Sequence, residues 1–529
     1  MTKTQRITLN VIATYGRSVF SLVCGLFSAR WVLMAIGQTD FGLYATVGSL
    51  MSIVTFLNGM FSGSIGRFYA YSVGEAQISG KEVEGVEKCR QWFNTAVFLH
   101  IITPTALSIV GYPVGEWAVR HWLTIPVDRI EDCVWVFRFS MLACFVGVVN
   151  VPFNAMYVAK QKIAELTVYS VFSTIANVSI LGYMVTHPGP WLTQYAFAMC
   201  LVGVVPQMLI MVRALQVFPE CRFNRAYLIS KERTLQMLNF TWWTYIGITG
   251  YMLRTQGLCL LVNKMFGPIY NGTMGVAQSV SGHANALSAA LRTAFAPAIA
   301  NEAGAGDFRR VVTLSLQTSK FGMLLSAVFA LPLMTEIDSI LKLWLSNPPP
   351  FAVEATWLGL LGLVLSQSIG GIDQIVHAYG RIAIYNVISG LVGGAFLPVG
   401  FVLVKCRVFG FVVLFALLTA WNFVFGFVSA CAAHFVVGFP LRLWLFGILG
   451  RSVVAMVFPV LVGVGVRFIL SDYFWLRIFM SSGMTFLVYA FVAWRFLLDD
   501  KERHGCLQGL IIVKEKFFQA CIRNGEIHA

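Results

Sequence analysis

Six basic side chains lie inside long apolar stretches of the sequence, where a charge is expensive to place. They are Arg17, Arg138, Arg254, Arg292, Lys320 and Arg467. An arginine facing lipid at the bilayer centre costs roughly 2.5–3.5 kcal/mol on insertion scales, so we expect these cations to face something wetter. The guanidinium fork donates two hydrogen bonds to one phosphate, which makes Arg17, Arg254 and Arg292 candidates for a cavity that binds an anion. The alternative is that each cation snorkels to a headgroup or pairs with backbone carbonyls, which fits Arg138 best.

Carboxylates are scarce in the same stretches, and Asp373 is the one that falls clearly in mid-span. Asp373 and His377 are four residues apart and therefore share one face of a helix. A buried acid beside a histidine can relay protons or bind a cation, so the pair is a candidate for ion coupling. A structural contact with one of the arginines is the alternative. One carboxylate against several cations predicts a cationic interior.

Signatures of catalysis and of metal or cofactor binding are absent from the sequence. It contains no GxSxG, no Walker loop and no HExxH, and its 11 cysteines form no CxxC pair. We therefore predict that the protein is not an enzyme and that it has no cofactor and no metal. Any energy input must come from an ion gradient, a substrate gradient or a partner.

The elements that position these residues are transmembrane helices. Of 529 residues, 57% are apolar and 12% charged, whereas a soluble domain has roughly 45–50% and about 25%. This composition predicts an all-α polytopic membrane protein with about fourteen spans of some 20 residues each. The predicted spans are 9–35, 41–66, 93–119, 134–158, 166–186, 193–213, 239–263, 272–299, 312–334, 354–380, 382–404, 411–434, 450–470 and 476–498.

The net charge of +14 reflects topology rather than nucleic-acid binding, because Lys and Arg lie between the apolar runs. Of the 38 cations, 24 fall at the termini and in the loops on their side, and 8 fall on the opposite side. The positive-inside rule then predicts cytoplasmic termini. Lys405 and Arg407, on the opposite side, fit this topology least well.

A faint internal repeat predicts two parallel lobes. The turn AIGQTDFGLY contains Gly37 and Gly42, and MFGPIYNGTM contains Gly267 and Gly272, an offset of 230 residues in both pairs. Six helices per repeat is an even number, which implies a pseudo-symmetry axis along the membrane normal. We predict an N-lobe at 1–233 with helices 1–6, a C-lobe at 234–434 with helices 7–12, helices 13–14 at 435–498 and a cytoplasmic tail at 499–529.

Several segments resemble the bacterial polysaccharide (O-antigen type) flippases of the multidrug/oligosaccharidyl-lipid/polysaccharide exporter superfamily. The segments are RWVLMAIGQTDFGLY (30–44), FLNGMFSGSIGRF (56–68), LTIP (123–126), VPFNAMYVAKQKIA (151–164), FGPIYNGTMGVA (266–277) and AYGRI (378–382). The resemblance runs through most of the first twelve helices and is weakest in helices 13 and 14 and the tail. It implies a MATE-like bundle of two six-helix lobes plus two C-terminal helices, whose central cavity opens alternately to each side.

The resemblance further implies a flippase of the bacterial inner membrane. Its cargo is expected to be an undecaprenyl-pyrophosphate-linked oligosaccharide, moved to the periplasmic leaflet for surface polysaccharide such as the O-antigen of lipopolysaccharide. Arg17 and Arg254 fit the pyrophosphate-binding role, with Arg292 and Lys320 as support. The expected partners are the polyprenyl-pyrophosphate-linked glycan, the bilayer, a polysaccharide polymerase and chain-length proteins. The alternatives are a cation-coupled multidrug exporter that uses Asp373, and a membrane glycan polymerase or ligase.

Overall fold

The computed structural model describes residues 82–160, 162–406, 410–500 and 502–504, residues 16–50 apart from 18, 19, 22 and 26, and residues 65, 68 and 69. Regular structure within these ranges is helical, with no strand. Ten helices in the described ranges are long and apolar enough to cross a membrane. The prediction of an all-α polytopic membrane protein is confirmed.

Helices overlie the predicted spans wherever the chain is described. The described residues of 16–36 form α1, and residues 38–50 form α2. The others are α3 (Glu82–Trp117), α4 (Ile130–Val149 and Val151–Ala159), α5 (Ile163–Thr186), α6 (Leu192–Val217), α7 (Lys231–Met252, Leu253–Gly257 and Leu258–Phe266), α8 (Pro268–Gly304), α9 (Phe308–Thr335), α10 (Ala352–Ser366, Gln367–Ile369 and Gly370–Ala378), α11 (Ile382–Lys405), α12 (Phe411–Val437), α13 (Leu443–Gly450 and Arg451–Ile469) and α14 (Phe474–Val492 and Ala493–Leu497). Residues 9–15 and 51–64 of the first two predicted spans, and the tail beyond residue 504, lie outside the described residues.

Two boundaries differ from the predicted ones. The stretch after Glu336, expected to be a loop up to Val353, contains a short helix at Ile337–Leu345. The thirteenth helix begins at Leu443 rather than at residue 450, because the apolar run LWLFGILG forms a π-helical segment that leads directly into Arg451–Ile469. Arg451 therefore lies inside this helix instead of at its start.

The two repeated turns share a positive φ at their first glycine. Gly37 between α1 and α2 has a φ of 80°, and Gly267 between α7 and α8 has a φ of 94°. Both values fall in the left-handed region that only glycine adopts without strain. The second glycine of each repeat also packs closely, since a Cβ on Gly42 would overlap the carbonyl oxygen of Pro268 and approach the backbone nitrogen of Gly272. The helical starts of α2 and α8 are in backbone contact at these glycines.

Packing divides the chain into two compact units. The first consists of Met1–His283, Leu341–Gly359 and Gly380–Ala432, and the second of Ala284–Ile340, Leu360–Tyr379 and Ala433–Ala529. In the first unit α7 and α11 approach closely, because Gly250 meets Gly390 backbone to backbone. In the second, Gly371 of α10 lies against the Ser315 carbonyl of α9. Small residues of this kind let membrane helices approach closely. The division into lobes at residue 233 stays a prediction.

Candidate functional site

Arg254 lies in a π-helical segment, Leu253–Gly257, in the middle of α7. Gly250, one turn earlier, brings the α7 backbone against α11, and Gly257 meets Leu397. Single π-helical turns inside α-helices are frequent at functional sites. Here the turn places the cation within the helix bundle rather than at a helix end.

The side chain of Arg254 is buried, with 7% of its surface exposed. Its guanidinium carbon lies 4.6 Å from the ring centre of Phe425 and 5.7 Å from that of Tyr251. Its Nη1 is buried and has no hydrogen-bond partner among the described residues. Aromatic faces offset part of the cost of burying a cation, but the unused N–H groups leave a donor that an anion could satisfy.

Arg17 of α1 is half-buried and reaches α5. Its Nη1 donates to the Ser170 hydroxyl at 3.4 Å, and that hydroxyl donates in turn to the Leu166 carbonyl at 3.2 Å. This long bond to a neutral group is the one hydrogen bond of Arg17 to a described residue, and within that part of the chain most of its guanidinium donors stay available. Arg17 and Arg254 both belong to the first unit.

Arg292 of α8 belongs to the second unit and sits in a cluster of amides. Its Nη1 donates to Oε1 of Gln367, and Gln367 Nε2 donates to Oδ1 of Asn285 at 3.1 Å. Gln374 Nε2 donates to the backbone carbonyl of Arg292 at 2.6 Å. Gln367 lies in the 3₁₀ turn that interrupts α10. These partners orient Arg292 without neutralising its charge. The sequence does not indicate these amides as functional residues, because polar, uncharged side chains in an apolar run have no distinctive spacing.

Lys320 of α9 is paired with a carboxylate from beyond the last helix. Its Nζ lies 2.5 Å from Oε2 of Glu502, and the two side chains are only 9% and 7% exposed. Gln317 Nε2 also donates to Glu502, at 3.3 Å. Glu502 is thus a counter-ion to a buried cation that the sequence did not indicate. Glu502 lies outside every predicted span, and no spacing in the sequence links it to Lys320.

Two further in-span cations are answered by carboxylates. Arg138 Nη2 lies 3.3 Å from Oε1 of Glu116, and Arg467 Nη2 lies 2.9 Å from Oδ2 of Asp338. Asp338 belongs to the short helix Ile337–Leu345, where the sequence predicts a loop. Arg138 therefore pairs with a carboxylate, rather than with the headgroup or backbone carbonyls considered as its alternative.

Asp373 and His377 lie one turn apart on the same face of α10, and both are exposed. The ring Nδ1 of His377 lies 2.7 Å from the backbone carbonyl of Asp373. The contact therefore joins the imidazole to the main chain, as expected for a residue at i+4. Ion coupling through this pair stays a prediction.

The candidate residues thus fall into two groups. The first unit holds Arg17 and Arg254, and the second holds Arg292, Lys320, Asp373 and His377. The cations that face neutral or aromatic neighbours are Arg17, Arg254 and Arg292, the three for which the sequence favoured a cavity. A guanidinium with neutral or aromatic neighbours keeps its charge and its hydrogen-bond donors, which are the features that bind an anion.

No protein-family model and no curated protein matches the sequence. Solved structures match the fold at low identity. The lipid II flippase MurJ, in an inward closed conformation, is 11% identical, covers 93% of this chain and all of its own, and has a TM-score of 0.60. An inward-facing multidrug resistance transporter of the MATE family has 12% identity, coverage of 81% and 97%, and a TM-score of 0.59.

A third similar structure is a transporter of the MOP superfamily from Pyrococcus furiosus, described as having a binding pocket of reverse polarity. It has 13% identity, coverage of 83% of this chain and 94% of its own, and a TM-score of 0.54. The chain therefore has the fold shared by MATE transporters and this lipid II flippase, and it is a multi-pass membrane protein.

Proposed function

We propose that the protein is a flippase that carries an undecaprenyl-pyrophosphate-linked oligosaccharide from the cytoplasmic to the periplasmic leaflet by alternating access. The observation that carries the proposal is Arg254, a buried cation whose Nη1 has no partner among the described residues. The fold supports it, because one protein with this fold is a lipid II flippase and others are transporters.

A pyrophosphate cargo offers the hydrogen-bond acceptors that Nη1 of Arg254 lacks among the described residues. A pyrophosphate offers several charged oxygens, and a guanidinium in a poorly hydrated site binds such a group through two parallel charge-assisted hydrogen bonds. Without an anion, the buried donor of Arg254 remains unsatisfied at a cost of roughly 1–3 kcal/mol. Cargo binding removes that cost, so the empty site is predisposed to an anionic ligand.

Arg17 and Arg292 are also proposed to bind pyrophosphate, each being held by neutral hydroxyl or amide groups that preserve its charge. Lys320 contributes less directly, because its ammonium is already paired with Glu502. In this scheme the glycan occupies the hydrated cavity, the polyprenyl chain remains in lipid, and the protein resides in the inner membrane with cytoplasmic termini. A polysaccharide polymerase and chain-length proteins are its proposed partners.

Proteoliposomes test this function directly. Purified protein is reconstituted with a fluorescent undecaprenyl-pyrophosphate oligosaccharide, and exposure of the glycan on the opposite leaflet is followed with a membrane-impermeant lectin or hydrolase. A matched lipid with a neutral headgroup serves as control. We expect movement of the pyrophosphate lipid and not of the neutral lipid. Equal movement of both would contradict recognition of the pyrophosphate, and glycosyl transfer by the purified protein would favour the polymerase alternative.

A further inference from the structure

The helices α13 and α14 carry four arginines, one near each end of each helix. At one end both arginines are held by protein groups. Arg467 bonds the Thr335 carbonyl at 2.8 Å and Asp338 at 2.9 Å, and Arg477 lies 3.4 Å from Glu336 and donates to Ser339 at 2.6 Å. These contacts pair each of the two guanidinium groups with a protein carboxylate.

At the other end the two arginines, Arg451 and Arg495, are exposed. Neither guanidinium has a hydrogen-bond or ion-pair partner among the residues that the structure describes. Arg503 lies nearby but donates to the carbonyls of Trp494 and Arg495, at 2.8 and 2.9 Å, and to Asp500. The same pair of helices therefore has one end where the arginines are paired with carboxylates and one end where they have no partner among the described residues.

A groove of 860 Å³ lies between α13 and α14 at the available end, with Arg451 and Arg495 in its lining. Its walls are otherwise mainly apolar and include Phe446, Val454 and Phe496, which are 67%, 72% and 68% exposed. The groove is bordered by two π-helical segments, Leu443–Gly450 and Ala493–Leu497. A site with two cations and apolar walls matches an amphiphile that has an anionic head and a hydrocarbon chain.

Position along the helices favours a membrane lipid as the occupant. Arg495 lies in the last turn of α14, and Arg451 lies eight residues after the start of α13 at Leu443. Both therefore lie toward the end of α14 that leads to the tail, which the distribution of Lys and Arg assigns to the cytoplasm. Basic pockets between transmembrane helices on that side bind anionic phospholipid headgroups. The chain's own tail beyond residue 504 is a poorer occupant, because Lys514, Lys516 and Arg523 outnumber Glu515 and Glu526 and leave it without an excess of anionic groups.

We propose that the groove between α13 and α14 is a binding site for an anionic phospholipid of the cytoplasmic leaflet. Arg451 and Arg495 bind its phosphate, and the exposed apolar walls hold an acyl chain. The site is separate from the candidate cargo residues, none of which lines the groove. The phosphate of the bound lipid supplies the negative charge that Arg451 and Arg495 lack. At the opposite end of the same helices, protein carboxylates supply it to Arg467 and Arg477.

The test is native mass spectrometry of the purified full-length protein, titrated with phosphatidylglycerol and, as a neutral comparison, phosphatidylcholine. Each basic residue near an anionic lipid surface contributes roughly fivefold in affinity, so the Arg451→Gln/Arg495→Gln variant is expected to bind phosphatidylglycerol about 25-fold more weakly. Arg442→Gln is the matched control, because Arg442 is also exposed near the start of α13 and does not line the groove. Its affinity is expected to equal that of the wild type.

A second variant distinguishes lipid binding in the groove from nonspecific attraction of the lipid to basic residues. Val454→Trp fills the apolar wall and leaves both arginines in place, and we expect it to weaken phosphatidylglycerol binding as well. Equal losses in the double variant and in Arg442→Gln would overturn the proposal, since they would indicate a nonspecific basic belt. Displacement of the lipid by inorganic phosphate alone, stronger binding of undecaprenyl phosphate than of phosphatidylglycerol, or weakening only on removal of residues 505–529 would each overturn it too. The binding readout needs no transport, so its failure is distinct from failure of the proposed function.

Discussion

The guanidinium carbon of Arg254 lies 4.6 Å from the centre of the Phe425 ring, and its Nη1 has no hydrogen-bond partner among the described residues. The contact holds a charge in a buried position with an aromatic face on one side and unused N–H groups on the other. A residue in this state lowers the stability of the empty protein, which evolution tolerates when the charge serves a ligand. Stability and transport should therefore respond in opposite directions when Arg254 is replaced.

Replacing Arg254 by Leu is expected to raise the thermal midpoint of the purified protein, because it removes an unsatisfied buried charge. The same variant should lose transport, since a charge-assisted hydrogen bond contributes roughly 1.5–3 kcal/mol to binding. Arg254→Lys keeps the charge but lacks the fork and should recover only part of the activity. The measurements are thermal unfolding, and surface polysaccharide normalised to protein in the membrane, with Arg442→Leu as control. Normal export by Arg254→Leu would refute the role of Arg254.

The pairing of Lys320 with Glu502 allows a double-mutant cycle. Glu502→Gln leaves the buried Lys320 ammonium with only the exposed carboxylate of Asp499, 3.9 Å away, and breaking a buried pair from one side costs about 3–5 kcal/mol. Lys320→Met should be destabilising for the same reason, because it leaves the carboxylate unpaired. Lys320→Met combined with Glu502→Leu should recover most of the loss in thermal stability.

Transport by the double variant then decides the proposed supporting role of Lys320. A stable double variant that still exports polysaccharide would show that the pair is structural only. A stable double variant that fails to export would indicate that Lys320 also contacts the cargo.

The helices could be predicted from the sequence because hydropathy and length constrain a membrane span strongly. The predicted helix boundaries were wrong where hydropathy and length give only a weak signal. The helix Ile337–Leu345 contains Asp338 and Lys342, whose charges make a short amphipathic helix look like loop. The segment Leu443–Gly450 is too short to count as a span alone, so the predicted span begins at residue 450, beside Arg451.

The partners of the buried cations could be predicted less well than the cations themselves. Arg254 was found from its type and position in an apolar run, but nothing in the sequence indicates that it lies on Phe425, which is on another helix. Glu502 is 182 residues from Lys320, so their pairing depends on how α9 packs beside the end of α14. The glycine repeat did not indicate the close approach of α2 and α8, although φ is positive at both Gly37 and Gly267.

The contact between the repeated turns gives a prediction about Gly42. A Cβ there would overlap the carbonyl oxygen of Pro268, which is backbone and cannot move independently. Gly42→Ala is therefore expected to lower stability by about 1–3 kcal/mol through overpacking. Gly48→Ala on the same helix is the control, because a Cβ at Gly48 has no heavy atom within 4 Å. Thermal unfolding of both variants is the measurement, and equal midpoints would contradict the close approach.

Two cysteines outside the helical spans test the topology. Cys406, just after α11, is exposed, whereas Cys221, between α6 and α7, is buried. Burial raises the pKa of the Cys221 thiol above its ordinary value, so the thiol stays protonated and unreactive at neutral pH. The count of Lys and Arg assigns Cys406 to the periplasmic side, despite the neighbouring Lys405.

A membrane-impermeant maleimide added to intact cells with a permeabilised outer membrane should therefore label Cys406. Labelling should disappear in Cys406→Ser and persist in Cys221→Ser. Raising the pH from 7 to 8.5 should increase the rate at Cys406, because more thiolate forms there, and leave Cys221 unlabelled. If Cys406 reacts only after the inner membrane is opened, the loop between α11 and α12 is cytoplasmic. The predicted parity of the last helices, and with it the cytoplasmic assignment of the end of α14, would then be wrong.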